Sequence, residues 1–200
     1  YNVTGTKGTG GEGRIIITAH IDAKKGSPGA IDNATGVIVL LLLAELFVDY
    51  TGNHRLELVA LNGEDYFSVP GQMRFIADNN GSFNDAVLNI NIDGAGYKDG
   101  PSAFSFFNLP AAIQKAASKA VSNNSSLTKG IEWVQGDHSI FLQYNVPAVA
   151  VSSEWFIEHV DDQDITHTAR DNPSIVDCSK LPDIACGIKA IIEGITSSNK

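Results

Sequence analysis

Basic side chains are scarce in this chain. Fourteen Lys and Arg stand against 23 Asp and Glu among 200 residues, a formal net charge of −9. Without a basic stripe to neutralise phosphates, a nucleic-acid-binding role is excluded, and an anionic membrane surface is an unsuitable partner for the same reason. The acidic balance instead suits bound cations or substrates bearing an amine, besides serving solubility. Cysteine is nearly absent. Cys178 and Cys186 cannot make a disulfide framework, and their spacing at a helix start holds them too far apart to bridge, so both are expected to be free. No transmembrane segment is present either: the apolar run Val37 to Phe47 falls far short of the roughly 20 residues that span a bilayer. The chain also lacks repeats, low-complexity tracts and an interdomain linker, so one catalytic-sized domain over residues 1–200 is expected. With 43% hydrophobic residues it can bury a sizeable core.

Short apolar runs bounded by turn residues predict strands at Tyr1–Thr6, Arg14–His20, His54–Leu61, Asp85–Ile92, Ser102–Asn108, Ile131–Val134 and Pro147–Ser152. The Gly-rich turn Lys7–Gly13 is expected to close a hairpin between the first two. Helical patterns cover Val37–Phe47, Gly71–Asn79, Leu109–Ser122 and Pro182–Thr196, and Ser152–Asp164 reads as a loop. Strands alternating with helices at these spacings predict an α/β three-layer sandwich, a twisted, mostly parallel sheet with helices on both faces. The first helix, apolar on nearly all sides, is expected to be buried on both flanks.

The chemistry collects at predicted strand ends. The stretch His20–Gly36, HIDAKKGSPGAIDNATG, opens as a strand runs out and closes as a helix begins, where α/β sheets place their ligands. Asp22 follows His20 at the same strand end and can fix its tautomer, as a carboxylate does for a metal-ligating imidazole. Asp32 lies before a helix, whose dipole favours an ionised carboxylate. Taken alone, an H-x-D at a strand end is an ordinary structural feature and Asp32 can be a simple cap. The next strand, however, ends in Glu64 and Asp65, the third in Asp93, and His167 follows in ITHTARDN. Acids and imidazoles at successive strand tips leave one sheet edge with uncompensated negative charge unless cations are bound. His20, Asp32, Asp65, Asp93 and His167 make two N/O donor sets suited to zinc if Asp32 bridges, and Glu64 is left over beside them as a candidate base.

In order along the chain, AHID (Ala19–Asp22), PGAIDNATG (Pro28–Gly36), ALNGED (Ala60–Asp65), NIDGAG (Asn91–Gly96), GDHSIF (Gly136–Phe141) and HTARDN (His167–Asn172) resemble the family-28 zinc metallopeptidases, the co-catalytic di-zinc aminopeptidases. The resemblance covers nearly the whole chain. It implies two Zn²⁺ ions, with His20 and Asp93 completing one site, Asp65 and His167 the other, and Asp32 bridging through a segment whose Asp32–Asn33 peptide is cis. Asp22 would orient His20. Glu64 would be the general base that activates a metal-bridging water for attack on the scissile carbonyl of a peptide with a free N-terminal amine.

The chain departs from the family pattern in three places. Asp65 stands where many relatives have Glu. Thr166 precedes the metal His where some members place a Tyr that helps polarise the carbonyl. The sequence also opens at its first predicted strand, without the leading segment that many relatives carry. A carboxypeptidase, a glutaminyl cyclase, or a receptor-like ectodomain that has lost catalysis are the other readings; the complete ligand set argues against the last two. Of the spare histidines, His54 is expected to be solvated and His138 to line the substrate pocket or hold structure. His159, in a variable loop, competes with His167 as a ligand candidate, although only His167 matches the HT motif of the resemblance. The aromatics Phe104, Phe106, Phe107, Trp133, Phe141, Trp155 and Phe156 are expected mostly in the core, one or two of them in a pocket for an apolar side chain. Tyr1 rather than Met opens the chain, as in a processed or excised piece, and an extracellular or cell-envelope location is expected. Oligomeric state is not legible.

Overall fold

A computed structural model describes residues 1–66 and 70–197. Its seven strands are β1 (Val3–Lys7), β2 (Arg14–His20), β3 (Arg55–Leu61), β4 (Ala86–Ile92), β5 (Ser102–Phe107), β6 (Leu127–Lys129) and β7 (Ala148–Ser153). They form one mixed sheet in the order β1-β3-β2-β4-β7-β5-β6. The central strands β3, β2, β4 and β7 run parallel, while β1 and β5 pair antiparallel with β3 and β7. The helices are α1 (Thr35–Leu46), α2 (Pro70–Asp78), α3 (Ala111–Ser122), α4 (His138–Gln143), α5 (Glu154–Glu158) and α6 (Lys180–Ser197).

Alternation along β2 divides the core into two layers. Ile15, Ile17 and Ala19 face the cluster built with Val39, Leu40 and Leu43 of α1, Ile113 and Ala117 of α3, and Ile184, Ile188 and Ile191 of α6. Ile16 faces the opposite cluster, with Phe75 of α2 and Phe141 of α4. All seven residues of β2 are buried, the expected state of a parallel strand covered on both faces. The predicted sandwich is therefore the observed architecture.

Several local expectations are corrected. The Gly-rich turn does not close a β1–β2 hairpin: β2 uses both edges for parallel neighbours, and β1 crosses to the outer edge of β3. Ile131–Val134 is not a strand. The edge strand is Leu127–Lys129, and pairing stops beyond it because the Ile131 carbonyl accepts from the Ser105 hydroxyl instead of a neighbouring strand. The segment after β7 is not all loop: Phe156 and Ile157 of α5 are buried, with Phe156 packed on Ile31 and Tyr97. Helix α1 is covered on one flank only, and Leu41 on its outer face is 66% exposed. His54 is 3% exposed, not solvated, because the turn at Gly8 lies directly on its carbonyl. Both cysteines are free and exposed. Of the aromatics, Phe104, Phe106, Phe107, Phe141 and Phe156 are buried.

Candidate metal centre

Because β2, β3, β4 and β7 are parallel, their C-terminal ends share one edge of the sheet. The register aligns His20 with Leu61 and Thr18 with Asn91. His20, the loop Asn62–Asp65 and Asp93 are thus neighbours by pairing alone. His20 Nε2 lies 2.9 Å from Asp32 Oδ1 and 3.3 Å from Asp93 Oδ1. His167 Nε2 lies 3.2 Å from Asp32 Oδ2 and 2.8 Å from Asp65 Oδ1. The two oxygens of Asp32 therefore face two different imidazoles. The donor atoms of His20, Asp32 and Asp93 lie within 4.8 Å of one another, as do those of Asp32, Asp65 and His167.

Local structure fixes each donor. Asp32 sits in the wide turn Ala30–Ala34 between β2's loop and α1, and the Asp32–Asn33 peptide is cis, as the resemblance implied. The turn is held from both sides. Asp171 accepts from Ile31 N at 2.6 Å and Asp32 N at 3.2 Å. Asn33 donates to Ile92 O at 2.8 Å and accepts from Gly36 N at 3.1 Å. A Cβ at Gly36 would meet Asn33 Oδ1 at 2.4 Å, so only glycine fits there. On the opposite side, Asp22 accepts from the backbone N–H groups of Gly63 (2.6 Å), Glu64 (3.2 Å) and Asp65 (3.2 Å). That clamp sets the loop carrying Glu64 and Asp65. The contact of His20 Nδ1 is to the Asp22 carbonyl at 3.0 Å, with the carboxylate farther off at 3.8 Å. Asp22 thus supports His20 through its main chain and the Glu64–Asp65 loop through its carboxylate. His167 adopts a left-handed conformation, φ 64°.

The charge pattern asks for cations. Burial, reinforced by repulsion from Asp93, pushes the Glu64 carboxyl up to about 8. Burial and the neighbouring Asp32 raise Asp65. Burial works against the Asp32 carboxylate too, yet His167 and His20 together hold it below the usual range. Burial opposes protonation of His20, and Asp93 and Asp32 overcome it. Both Asp65 oxygens are buried without a hydrogen-bond donor among the described residues, the 2.8 Å approach of His167 Nε2 not being aligned as one. Carboxylate oxygens and imidazole nitrogens converging at such distances make a hard oxygen and nitrogen donor set that fits divalent zinc-like ions.

Beside this edge opens a cavity of about 300 Å³. Its walls include Asp32, Glu64, Asp65, Asp93 and His167, an apolar side of Trp133, Phe156, Ile157 and Val160, and the polar groups Gln135, Ser152, Gln163 and Thr166. No lysine or arginine lines it among the described residues, and Arg170 pairs with Asp164 instead.

The structure brings together His20, Asp22, Asp32, Glu64, Asp65, Asp93 and His167. His138 does not line the cavity: it is buried, and its Nε2 meets Trp133 O at 3.0 Å. His159 stacks on Trp155 and bonds its carbonyl. Asp171, Asn33 and Asp137 were not picked out by the sequence. They lie inside the HTARDN, PGAIDNATG and GDHSIF motifs respectively, and that was their available signal. Asp137 is fully buried, with one oxygen bonded by Gln72 and the other without a hydrogen-bond partner among the described residues.

The fold and the donor set define an α/β sandwich with a metal-ready pocket at the strand C-termini. The chain belongs to peptidase family M28, whose model matches residues 2–192. Among solved structures it resembles an aminopeptidase from Aneurinibacillus sp. strain AM-1, at 23% identity and TM-score 0.79, covering 96% of this chain and 47% of that one. It also resembles BSAP, a zinc aminopeptidase from Bacillus subtilis, at 19% identity and TM-score 0.78, covering 96% and 48%. A glutaminyl cyclase of Bacteroides thetaiotaomicron bound to N-acetylhistamine shares the fold at 19% identity and TM-score 0.70, covering 96% and 76%. The chain thus spans about half the length of the first two. A comparison with curated protein sequences finds no match.

Proposed function

We propose that this chain is the catalytic part of a di-zinc aminopeptidase that removes N-terminal residues from peptides. The observation that carries the reading is Asp32, whose two oxygens face His20 with Asp93 on one side and His167 with Asp65 on the other. His20, Asp93 and Asp32 would hold one zinc ion; Asp65, His167 and Asp32 would hold the second. Bound there, the ions would supply Lewis-acid polarisation of a carbonyl and make water a nucleophile at neutral pH.

The chain's own residues do the rest. Glu64 is buried beside the donors but is not itself among the groups that could hold an ion. It accepts a proton from the attacking water as the water oxygen bonds to the scissile carbon and the carbonyl π pair moves onto oxygen. When the C–N bond breaks, Glu64 returns that proton to the leaving amine. The acidic edge recognises the substrate's α-amine. A substrate carboxylate would need a cation, and the cavity wall offers none among the described residues, which disfavours C-terminal anchoring. The apolar wall of Trp133, Phe156, Ile157 and Val160 receives an apolar side chain.

The test compares a leucyl anilide with its N-acetyl form. The expected result is hydrolysis of the free amine only, abolished by a chelator and restored by zinc. Comparable kcat/KM for both forms would overturn the aminopeptidase reading. The cyclase among the similar structures favours a second reading, and an N-terminal glutaminyl peptide separates the two: released glutamine supports the peptidase, whereas ammonia and a pyroglutamyl product would support cyclisation.

A further inference from the structure

Four polar side chains line the cavity besides the acids and His167: Gln135, Ser152, Gln163 and Thr166. Two of these are joined in a way that fixes the direction of a proton. Gln163 Oε1 accepts from the backbone N–H groups of Ile165 (2.9 Å) and Thr166 (3.0 Å). Backbone nitrogens only donate, so this end of the amide must be the oxygen and the other end the NH₂ group. Gln163 Nε2 lies 2.6 Å from Thr166 Oγ1 and donates to it. The Thr166 oxygen is thereby engaged as an acceptor, and its own proton must go elsewhere. No acceptor for it exists among the described residues. The hydroxyl is left as a donor on the cavity wall, beside His167.

We propose that Thr166, oriented by Gln163, donates this proton in a hydrogen bond to the substrate carbonyl oxygen as negative charge develops there. The inference rests on the peptidase reading above. Donors act in this role when their direction is set before the reaction, and the other cavity groups do not meet that condition. No hydrogen bond fixes the rotor of Ser152 among the described residues. Gln135 is exposed. The indole nitrogen of Trp133 is shut off from solvent. The chemistry balances without a further reactant: the proton stays on Thr166 throughout, and the carbonyl electron pair returns when the C–N bond breaks.

Two substitutions test the role. Thr166→Val keeps shape and removes the donor. Gln163→Glu keeps an oxygen for the two backbone N–H groups but puts a second acceptor against Thr166, drawing the hydroxyl proton back from the cavity. Both should lower kcat by about 10²-fold, the order that loss of one preorganised donor costs. Both should leave KM within a few-fold, and the zinc content and melting temperature unchanged. Thr166→Ser should recover most of the rate. In titration calorimetry with a leucine-derived phosphinate, a tetrahedral mimic, Thr166→Val should weaken binding by the same factor as kcat/KM, with leucine itself binding as before. An active wild type with undiminished kcat in Thr166→Val would overturn this role and leave the peptidase reading standing. A zinc-loaded wild type that hydrolyses no aminoacyl substrate would overturn both.

Discussion

Replacing Asp171 by Ala should unbalance the metal centre without touching a proposed ligand. The Asp171 carboxylate is fully buried and accepts from Ile31 N and Asp32 N. Alanine leaves both N–H groups buried without an acceptor, and each such loss costs about 1–3 kcal/mol, so about 2–6 kcal/mol together. Part of this is offset, because burial pushes the Asp171 carboxyl up against the help of the Ile31 and Asp32 N–H groups. The ionised form is therefore held at some expense, and about 2–4 kcal/mol is the net expectation. Domains of this kind have about 5–15 kcal/mol in all, so the variant folds but is weakened. With a urea slope of about 2 kcal/mol/M, the midpoint of the zinc-free protein should fall by about 1–2 M. Asp171→Asn, which keeps one acceptor oxygen, should fall about half as far. Zinc should bind both variants more weakly, because the turn that aims Asp32 has lost its brace. A midpoint for Asp171→Ala within about 0.3 M of wild type at unchanged slope would refute the reasoning.

The other predictions are briefer. Glu64→Gln should lower kcat by about 10²–10⁴-fold with zinc content unchanged by elemental analysis; a retained kcat would move the base elsewhere. Burial, opposed first by the Gln72 amide, pushes Asp137 up to about 6, above the about 3.9 of an unfolded chain. The folded state then holds this proton more tightly, so its stabilising effect is present below about pH 4 and lost as pH rises through about 6. In zinc-free protein, urea midpoints of wild type relative to Asp137→Asn should fall across that window. A flat difference would show that folding does not raise the Asp137 carboxyl.

The sequence made the sheet and the site legible to different degrees. Apolar runs such as RIIITAH carried β2 and the parallel core, because a strand buried on both faces leaves no polar alternation to misread. The edges were harder. At Ile131–Val134 the pattern resembles a strand, but Ser105 takes the carbonyl that a neighbour would have needed. His54 lay in a polar context and was expected at the surface, yet a glycine turn from the chain's beginning covers it. For the site, charge at strand tips was readable because parallel strands end together. Which carboxylates would touch the backbone rather than an ion was not. Asp22 and Asp171 resemble ligands in composition, but each spends its oxygens on N–H groups, and that depends on contacts 41 and 140 residues apart.

The central claim is two zinc ions sharing Asp32. Its most direct test is zinc titration of the metal-free protein, following bound metal and leucyl-anilide hydrolysis together in wild type and Asp32→Asn. The account predicts binding that saturates at two ions per chain, with hydrolysis reaching its plateau at the same point. It further predicts that Asp32→Asn fails to retain both ions. Saturation at a single ion with full activity, or an Asp32→Asn variant that binds two as tightly as wild type, would contradict it.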